Sequence, residues 1–493
     1  MLQYESDYYA SLRDGRRVYY RGQLVEDVTT HPVLGKAIRH AAVDFRMAHD
    51  SQYQELAVVT EGHERYSRYY RIPQAADDLK RRRDLIAEGT RLGGTVVPLI
   101  HEIGTDALFG LMEVLPTVDA RHETSYVERV HRFWSAAKDH DWALAVAQTD
   151  VKGDRSRRPA DQPNPDAYVR IVRQSSEGIW IRGTKVHTSV AVNANWLIVL
   201  PTREMREEDR DYAVACAVPL NAPGLTLIVS PYLEQATDPW EHPLSSRHKM
   251  VETTTVFDDV FVPWDHVFLA GEWEAAGAVA KAFVEFHRFT AVSYKLPLLQ
   301  ALVGVASLLA EYNGVRHARH IQAALGDLVI YEMTVRALLD NAADRGERVA
   351  AGLFRPNIPL VNLAKYHFAT GLHQAMHKVQ DIAGGLLVTA PARQDWDHPD
   401  LGPWLNDAFA AHEVAGQDRV ALMHLAGDLV ASELAAYHLV LAVHAEGSIE
   451  AERMTVVKGY PWQTAEAEVR RWLDEAQAGD PGFEVAEKKK SGR

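Results

Sequence analysis

Between residues 142 and 268 the chain changes texture from helical to strand-like, and this change limits the folds open to it. Tyr168-Val169-Arg170-Ile171-Val172 alternates in part. Gly178-Ile179-Trp180-Ile181-Arg182-Gly183 has a β-branched centre between glycines, and Trp196-Leu197-Ile198-Val199-Leu200 is a short apolar run stopped by Pro201. Segments 212–218 and 225–229 are separated by the turn signal Asn221-Ala222-Pro223-Gly224. Val256-Phe257-Asp258-Asp259-Val260-Phe261-Val262-Pro263 closes the set. Short strands joined by turns imply a barrel or sandwich and argue against βαβ units.

Helical signals lie on both sides of this stretch. Residues 1–140 read as an N-terminal helical domain, with Thr29-Thr30-His31-Pro32 as a helix start: a hydroxyl cap before proline. Segment 75–89 is charge-rich and ends at glycine, and its Arg81-Arg82-Arg83 run fits a solvated helix face. Residues 141–270 form the expected β-domain and 271–475 a C-terminal helical bundle. In the bundle Leu298, Leu299, Leu302, Val305, Leu308 and Leu309 recur at three-and-four spacing. The mostly apolar span 419–444 reads as one long helix buried on several sides. Residues 476–493 read as a flexible tail. The layout is α+β, with helices and strands in separate layers.

Charge and cysteine content exclude several classes. A net charge of -14 repels phosphate backbones, so nucleic acid is not an expected partner. Cys216, the one cysteine, sits in an apolar run and reads as a buried structural thiol. A cysteine-ligated iron–sulfur cluster or a structural zinc site needs more thiolates than that. The N-terminal residues lack the basic and apolar blocks of a secretion signal, and no membrane span is read from the sequence, so a cytoplasmic location is the default expectation. Neither G-x-G-x-x-G nor G-x-x-x-x-G-K-[ST] occurs, which leaves a Rossmann or P-loop site unsupported.

Four segments combine residues suited to chemistry. Loop 147–156 carries Thr149, Asp150, Lys152, Gly153, Asp154 and Arg155, a mixture that can close on an anionic, planar ligand through backbone N–H groups and cations, or serve as a polar connector. Lys185-Val186-His187-Thr188-Ser189 offers a hydroxyl at a strand end. Gln380 precedes Gly384-Gly385, a pair that permits close backbone approach or a helix C-cap. His287-Arg288 lies one or two helical turns before Tyr294-Lys295, and His287 is a candidate acid or base. His373 and His377 have metal-ligand spacing but lack the glutamate of H-E-x-x-H and a third ligand, so no metal is assigned.

In this order these segments resemble the family holding 4-hydroxyphenylacetate 3-monooxygenase and 4-hydroxybutyryl-CoA dehydratase, on the acyl-CoA dehydrogenase-like fold. The resemblance runs from Tyr20-Arg21-Gly22 and Asp27-Val28-Thr29-Thr30-His31-Pro32, through 149–155, to Gly447-Ser448. It implies FAD held between β-domain and bundle in a homotetramer. Thr149, Asp150, Lys152, Gly153, Asp154 and Arg155 would border the flavin, with His187 and Thr188 near its reactive nitrogen. Gln380, Gly384 and Gly385 would approach it across a subunit contact, and His444, Gly447 and Ser448 match another cofactor-contacting stretch. His287, Lys295, Glu252 and Tyr294 are the catalytic candidates.

Where the dehydratase has three cluster cysteines this chain has Pro98, Glu102 and Tyr294, while the cluster histidine is kept as His287. A dehydratase-site tyrosine matches Ala291. The arginine, tyrosine and histidine that hold the phenol in the monooxygenase match Ile103, Ala107 and Val146. The resemblance therefore implies a cluster-free member of the family. The expected activity is a two-component monooxygenase that receives FADH2 from a separate reductase. It would react with molecular oxygen and oxygenate an aromatic or other small molecule through a C4a-hydroperoxyflavin. The alternatives are FAD-dependent dehydratase, isomerase or dehydrogenase chemistry on an acyl-CoA-type substrate, and a non-catalytic ligand-binding scaffold.

Overall fold

The structure, a computed structural model, describes residues 2–234, 236–349, 352–411 and 413–477; the expected tail lies, from residue 478, outside them. The N-terminal region holds helices α1 (Glu5–Ser11), α2 (Leu34–Ala41), α3 (Val43–His49), α4 (Gln54–Ala57), α5 (Ala76–Leu92), α6 (Glu102–His122) and α7 (Tyr126–His140). It also holds two hairpins, β1 (Val18–Tyr20) with β2 (Gln23–Leu24) and β3 (Val58–Glu61) with β4 (Glu64–Ser67). The central strands are β5 (Leu144–Ala147), β6 (Arg170–Gln174), β7 (Gly178–Ser189), β8 (Trp196–Val199), β9 (Val214–Pro219), β10 (Leu225–Val229), β11 (Glu252–Pro263) and β12 (Val267–Ala270). The bundle follows with α8 (Trp273–Tyr312), α9 (Arg319–Asp344), the short pair β13 (Glu347–Arg348) and β14 (Phe354–Arg355), and α10 (Ile358–Ala383). Then come α11 (Leu386–Thr389), α12 (Arg393–Asp397), α13 (Leu401–Phe409), α14 (Gly416–Val430), α15 (Glu433–His444), α16 (Ile449–Gly459) and α17 (Trp462–Gln477).

The strands form two open sheets, ordered β2-β1-β10-β11-β7-β6 and β12-β9-β8-β5, so the barrel alternative is set aside among the described residues. The N-terminal region is less purely helical than its sequence suggests, because β1 pairs in parallel with β10 and extends the larger sheet. Ile181, Phe257 and Val260 of that sheet share one core with Ile198, Ala215 and Cys216 of the smaller one. Burial raises the Cys216 thiol to about 12, which fits the inert reading.

Three local readings are corrected. Thr29 does not cap a helix: its hydroxyl turns to Asp27, α2 begins at Leu34, and Nδ1 of His31 accepts the N–H groups of Val33 and Leu34 instead. The span 419–444 is two helices, because Ser432 caps a fresh start by accepting the N–H of Leu434. Arg82 is not solvated; it is 4% exposed and ion-paired to Asp106.

Helix α8 joins the two halves of the molecule. Val279, Phe283 and Phe286 lie in the core shared with the sheets, and Phe289, Val292 and Leu296 lie in the bundle core. This helix is long and apolar enough to span a bilayer, but two-thirds of its most apolar window is buried against its neighbours. Stretch 416–459 meets the same compositional test as three separate helices.

Gly110 allows α6 to lie against the backbone of α8: a Cβ there would come within 2.6 Å of the Phe283 nitrogen and 2.9 Å of the Ala282 carbonyl carbon. Gly110→Ala is expected to force the helices apart and cost about 1–3 kcal/mol, as overpacking does. Gly304→Ala, at a position facing open space, is the control and should leave the thermal midpoint unchanged or raised. Melting curves of the two variants make the comparison.

Candidate active site

Buried polar groups from α6, α8, α10, β11 and the α15–α16 turn converge beside the β-domain. On α8, His287, Arg288, Tyr294 and Lys295 are all under 9% exposed. Nδ1 of His287 lies 3.0 Å from Oδ2 of Asp106, and the imidazole stacks on Phe283 with centroids 5.2 Å apart. Oδ1 of the same aspartate accepts from Arg82 at 2.8 Å and from Thr290 at 3.0 Å.

One turn further along α8, Tyr294 and Lys295 both donate to the Glu446 carboxylate, Lys295 at 2.8 Å. Lys365 of α10 stands 3.7 Å from the same group and 3.2 Å from Glu452. Burial alone would raise Glu446, but Lys295 and Lys365 overcome it and hold the carboxyl at about 2. Burial lowers Lys295 to about 8 and keeps the Tyr294 phenol protonated as a donor. Glu446 and Gly447 both have left-handed backbones (φ 57° and 116°), and Arg288 secures the turn by donating to the Glu446 carbonyl at 2.9 Å. A side chain at Gly447 would collide with that guanidinium.

Glu252 approaches from the sheet. It sits opposite Ser189 in the β11–β7 register, and its carboxylate accepts from Ser189 at 2.9 Å and from Tyr437 at 2.7 Å. Burial raises it to about 7 against those two hydrogen bonds. Tyr294, Lys295, Tyr437 and His438 line a cavity of about 20 Å³, room for a single water. Burial holds His438 neutral, at about 4.

The loop at 149–155 is anchored from inside. Lys185 lies 2.9 Å from Asp150, both buried, and donates to the carbonyls of Gln148 and Leu200. Asp150 and Lys185 are thus spent on fixing the loop. The Thr149 carbonyl accepts from Val186, the Asp154 side chain takes Ser156 and Arg157, and Gly153 takes a left-handed φ of 51°. Lys152 is lowered by burial, with the positive charges of Arg155 and Arg203 adding to it. His187 is lowered by burial and by Lys152 and His444, which places these basic groups in one neighbourhood. Thr188 is fully buried and its hydroxyl has no partner.

The third expected segment stands apart. Gln380 is exposed on α10 and donates to the Val430 carbonyl at 2.6 Å, Gly384 ends the helix with a left-handed φ of 70°, and Ser448 caps α16. Gly384 and Gly385 face open space, where a Cβ would meet nothing within 4 Å. Of the positions expected to match the dehydratase cysteines, Glu102 is fully buried and raised to about 8, first by burial and then by Asp44, and the Pro98 segment is flanked by left-handed Thr95 and Leu99. His373 and His377 gain no third ligand: among the described residues no group of three His, Cys, Asp or Glu side chains could hold a metal. Asp106, Glu446, Lys365, Tyr437 and Arg203 are site residues that the sequence alone did not single out.

The chain matches the families described as 4-hydroxyphenylacetate 3-hydroxylase N terminal over residues 5–269 and 4-hydroxyphenylacetate 3-hydroxylase C terminal over residues 276–474. It belongs to the 4-hydroxyphenylacetate 3-hydroxylase family. Within this family it is 30% identical over 446 residues to the oxygenase component of 4-nitrophenol 4-monooxygenase/4-nitrocatechol 2-monooxygenase of Rhodococcus opacus, covering 87% of this chain and 83% of that one. It is 28% identical over 480 residues to 4-hydroxybutyryl-CoA dehydratase/vinylacetyl-CoA-Delta-isomerase of Clostridium aminobutyricum, covering 93% and 96%. The oxygenase component of 4-hydroxyphenylacetate 3-monooxygenase, solved with FAD and 4-hydroxyphenylacetate, superposes with a TM-score of 0.89 at 26% identity over 97% of this chain and 99% of that one. The acyl-CoA dehydrogenase-like fold expected from the sequence is the fold found. A flavin fits the residues present: an unpartnered buried hydroxyl at Thr188, a basic mouth at Lys152, Arg155 and Arg203, and an open glycine pair.

Two outcomes follow from the buried charges. Glu446→Gln strands Lys295 without its counter-charge and is expected to cost about 3–5 kcal/mol, with Lys295→Met in the same chain recovering part of it in a double-mutant cycle. Glu252 is raised from 4.5 to about 7, so the stability it contributes is complete below about pH 4.5 and is lost as pH rises through about 7. Thermal midpoints measured from about pH 5 to about pH 8 should therefore fall for the native chain relative to Glu252→Gln.

Proposed function

We propose that this chain is the oxygenase component of a two-component monooxygenase, acting with reduced FAD from a separate flavin reductase on a phenol or a similarly electron-rich aromatic. The net reaction is ArH + O2 + FADH2 → ArOH + H2O + FAD. Bound flavin supplies the oxygen activation, and the protein supplies position, a dry site and proton handling. The observation that carries this reading is the end-to-end family match in a chain with Pro98, Glu102 and Tyr294 at the cluster positions. The sole cysteine, Cys216, is buried in the smaller sheet.

Thr188 would donate its hydroxyl to the flavin ring. Lys152, Arg155 and Arg203 would face the phosphates, with Thr149, Gly153, Asp154 and His187 shaping that mouth around the Asp150–Lys185 anchor. The His444–Gly447–Ser448 turn would close the site, fixed in place by Arg288 and Glu446. Gln380, Gly384 and Gly385 would serve a neighbouring subunit's flavin in a homotetramer, which accounts for their open surroundings here. His287 would take a proton from the substrate hydroxyl, and Glu252, Lys295 and Tyr294 would form the polar wall beside it. The enzyme would work in the cytoplasm.

Acyl-thioester chemistry on bound FAD is the second reading, and the similarity to the dehydratase, with His287, Glu252 and Lys295 kept, favours it. The test supplies purified protein with a flavin reductase, NADH, FAD, isotopically labelled ¹⁸O2 and a panel of phenols. One ¹⁸O atom in a hydroxylated product is the expected result. Hydrogen peroxide as the sole oxygen product with every phenol, together with anaerobic bleaching of FAD by an acyl-CoA without reductase, would transfer the assignment to the second reading.

A further inference from the structure

We infer that Asp106 is the positioning residue of a histidine–aspartate pair, which dedicates Nε2 of His287 to proton exchange with the hydroxyl of the substrate. This rests on the phenol reading above and assigns the proton path within it. Asp106 is 1% exposed, and both of its oxygens are engaged: Oδ2 by His287, Oδ1 by Arg82 and Thr290. A carboxylate bound to a buried guanidinium is an acceptor, so the shared hydrogen on His287 belongs to Nδ1. In the neutral ring the lone pair is then on Nε2, and the hydrogen bond His287 makes among the described residues is the one from Nδ1.

The pair is rigid on both sides. Arg82 is tied to the carbonyls of Tyr69 and Glu102 and to the Thr105 hydroxyl, so the aspartate cannot turn away. Phe283 lies nearly parallel to the imidazole, at 11°, and fixes its plane. Of the titratable and charged groups around the ring, Arg82 reaches Asp106 from α5, and Tyr294 and Lys295 lie on the same helix. Glu446 faces it from the α15–α16 turn, near enough that the ring, once protonated, helps hold that carboxyl low. Glu102 lies one turn before Asp106 on α6.

In the step itself the substrate O–H bond breaks and an Nε2–H bond forms. The electron pair of the broken bond stays on oxygen, and the resulting phenolate is the stronger nucleophile at its ring carbon. The imidazolium keeps Nδ1–H on Asp106, which remains ionised and stabilises the new charge. After the ring carbon accepts one oxygen atom, its C–H proton passes to the other oxygen atom, which leaves as water; the C–H electron pair restores the aromatic ring, and the imidazolium returns its proton to the phenolate oxygen.

The test uses FAD-loaded protein and 4-nitrophenol, whose phenolate absorbs in the visible range and so reports its own ionisation without turnover. At a pH below the value at which the free probe ionises, the native enzyme should bind it as phenolate. Asp106→Asn should bind it as the neutral phenol while still binding FAD, and kcat/KM for phenol hydroxylation should fall about 100-fold, the size of a general-base contribution. His287→Gln, in a chain with Asp106 intact, should show the same loss of phenolate and keeps the test decisive if Asp106→Asn does not fold. Bound phenolate undiminished in either variant, or a neutral probe in the native enzyme, overturns the inference alone. Failure of the native enzyme to bind any phenol overturns the phenol reading and this inference together.

Discussion

Asp106 ties three helices together through one buried carboxylate. Its carboxylate takes Arg82 from α5 and both His287 and Thr290 from α8 while sitting on α6. Removing a carboxylate and a guanidinium from water costs several kcal/mol each, and such a pair persists only where its geometry and secondary hydrogen bonds are good. Here Arg82 finds three further acceptors and packs on the rings of Tyr69 and Phe109. The small residues of α6 make the arrangement possible, because Gly110 lets that helix lie directly against α8. Helix packing and site geometry are thus the same constraint.

A second set of buried charges repeats the logic further along α8. Lys295 and Lys365 surround Glu446, and Arg288 grips the backbone of the same turn. Such a set contributes little net stability compared with apolar side chains of equal volume, but it fixes one conformation, since each alternative strands a charge. The fixed element is the turn whose backbone is left-handed at Glu446 and Gly447. Preorganisation of this kind suits a site that must hold a large cofactor and exclude water without rearranging at each turnover.

The layer order was legible in the sequence because it rests on local periodicity. Strand segments around Ile181, Ile198 and Phe257 and the leucine spacing of α8 need no knowledge of distant residues. Features decided by long-range partners were not legible. Arg82 looks like its exposed neighbours in an Arg-Arg-Arg run until Asp106, 24 residues on, is placed beside it. Glu446 gains its meaning from Lys295, separated by 151 residues, and Tyr437 from Glu252, separated by 185. The apolar span 419–444 hid a break because Ser432 reads as a tolerable helix residue until it caps a new start. Barrel and sandwich give one strand pattern, and the open order of both sheets among the described residues separates them.

On the proposed reading, substrate selection would follow from what α6 presents next to Asp106. Ile103 and Ala107 lie one turn apart on that helix, and with Val146 of β5 they are at most 7% exposed. On the proposed reading these positions border the substrate. An ionised carboxylate placed against three aliphatic side chains would lose its hydration and gain no partner, a cost of several kcal/mol. Arg82 is held on Asp106 and the acceptors around it, and Lys295 is committed to Glu446. A neutral aromatic whose hydroxyl meets His287 incurs no such cost and gains apolar contact along its ring. On that reading the same helix would set the proton path through Asp106 and the polarity of the pocket through Ile103 and Ala107. On the proposed reading, a change of substrate class from an arylacetate to a neutral phenol would need no change in the architecture that holds the cofactor.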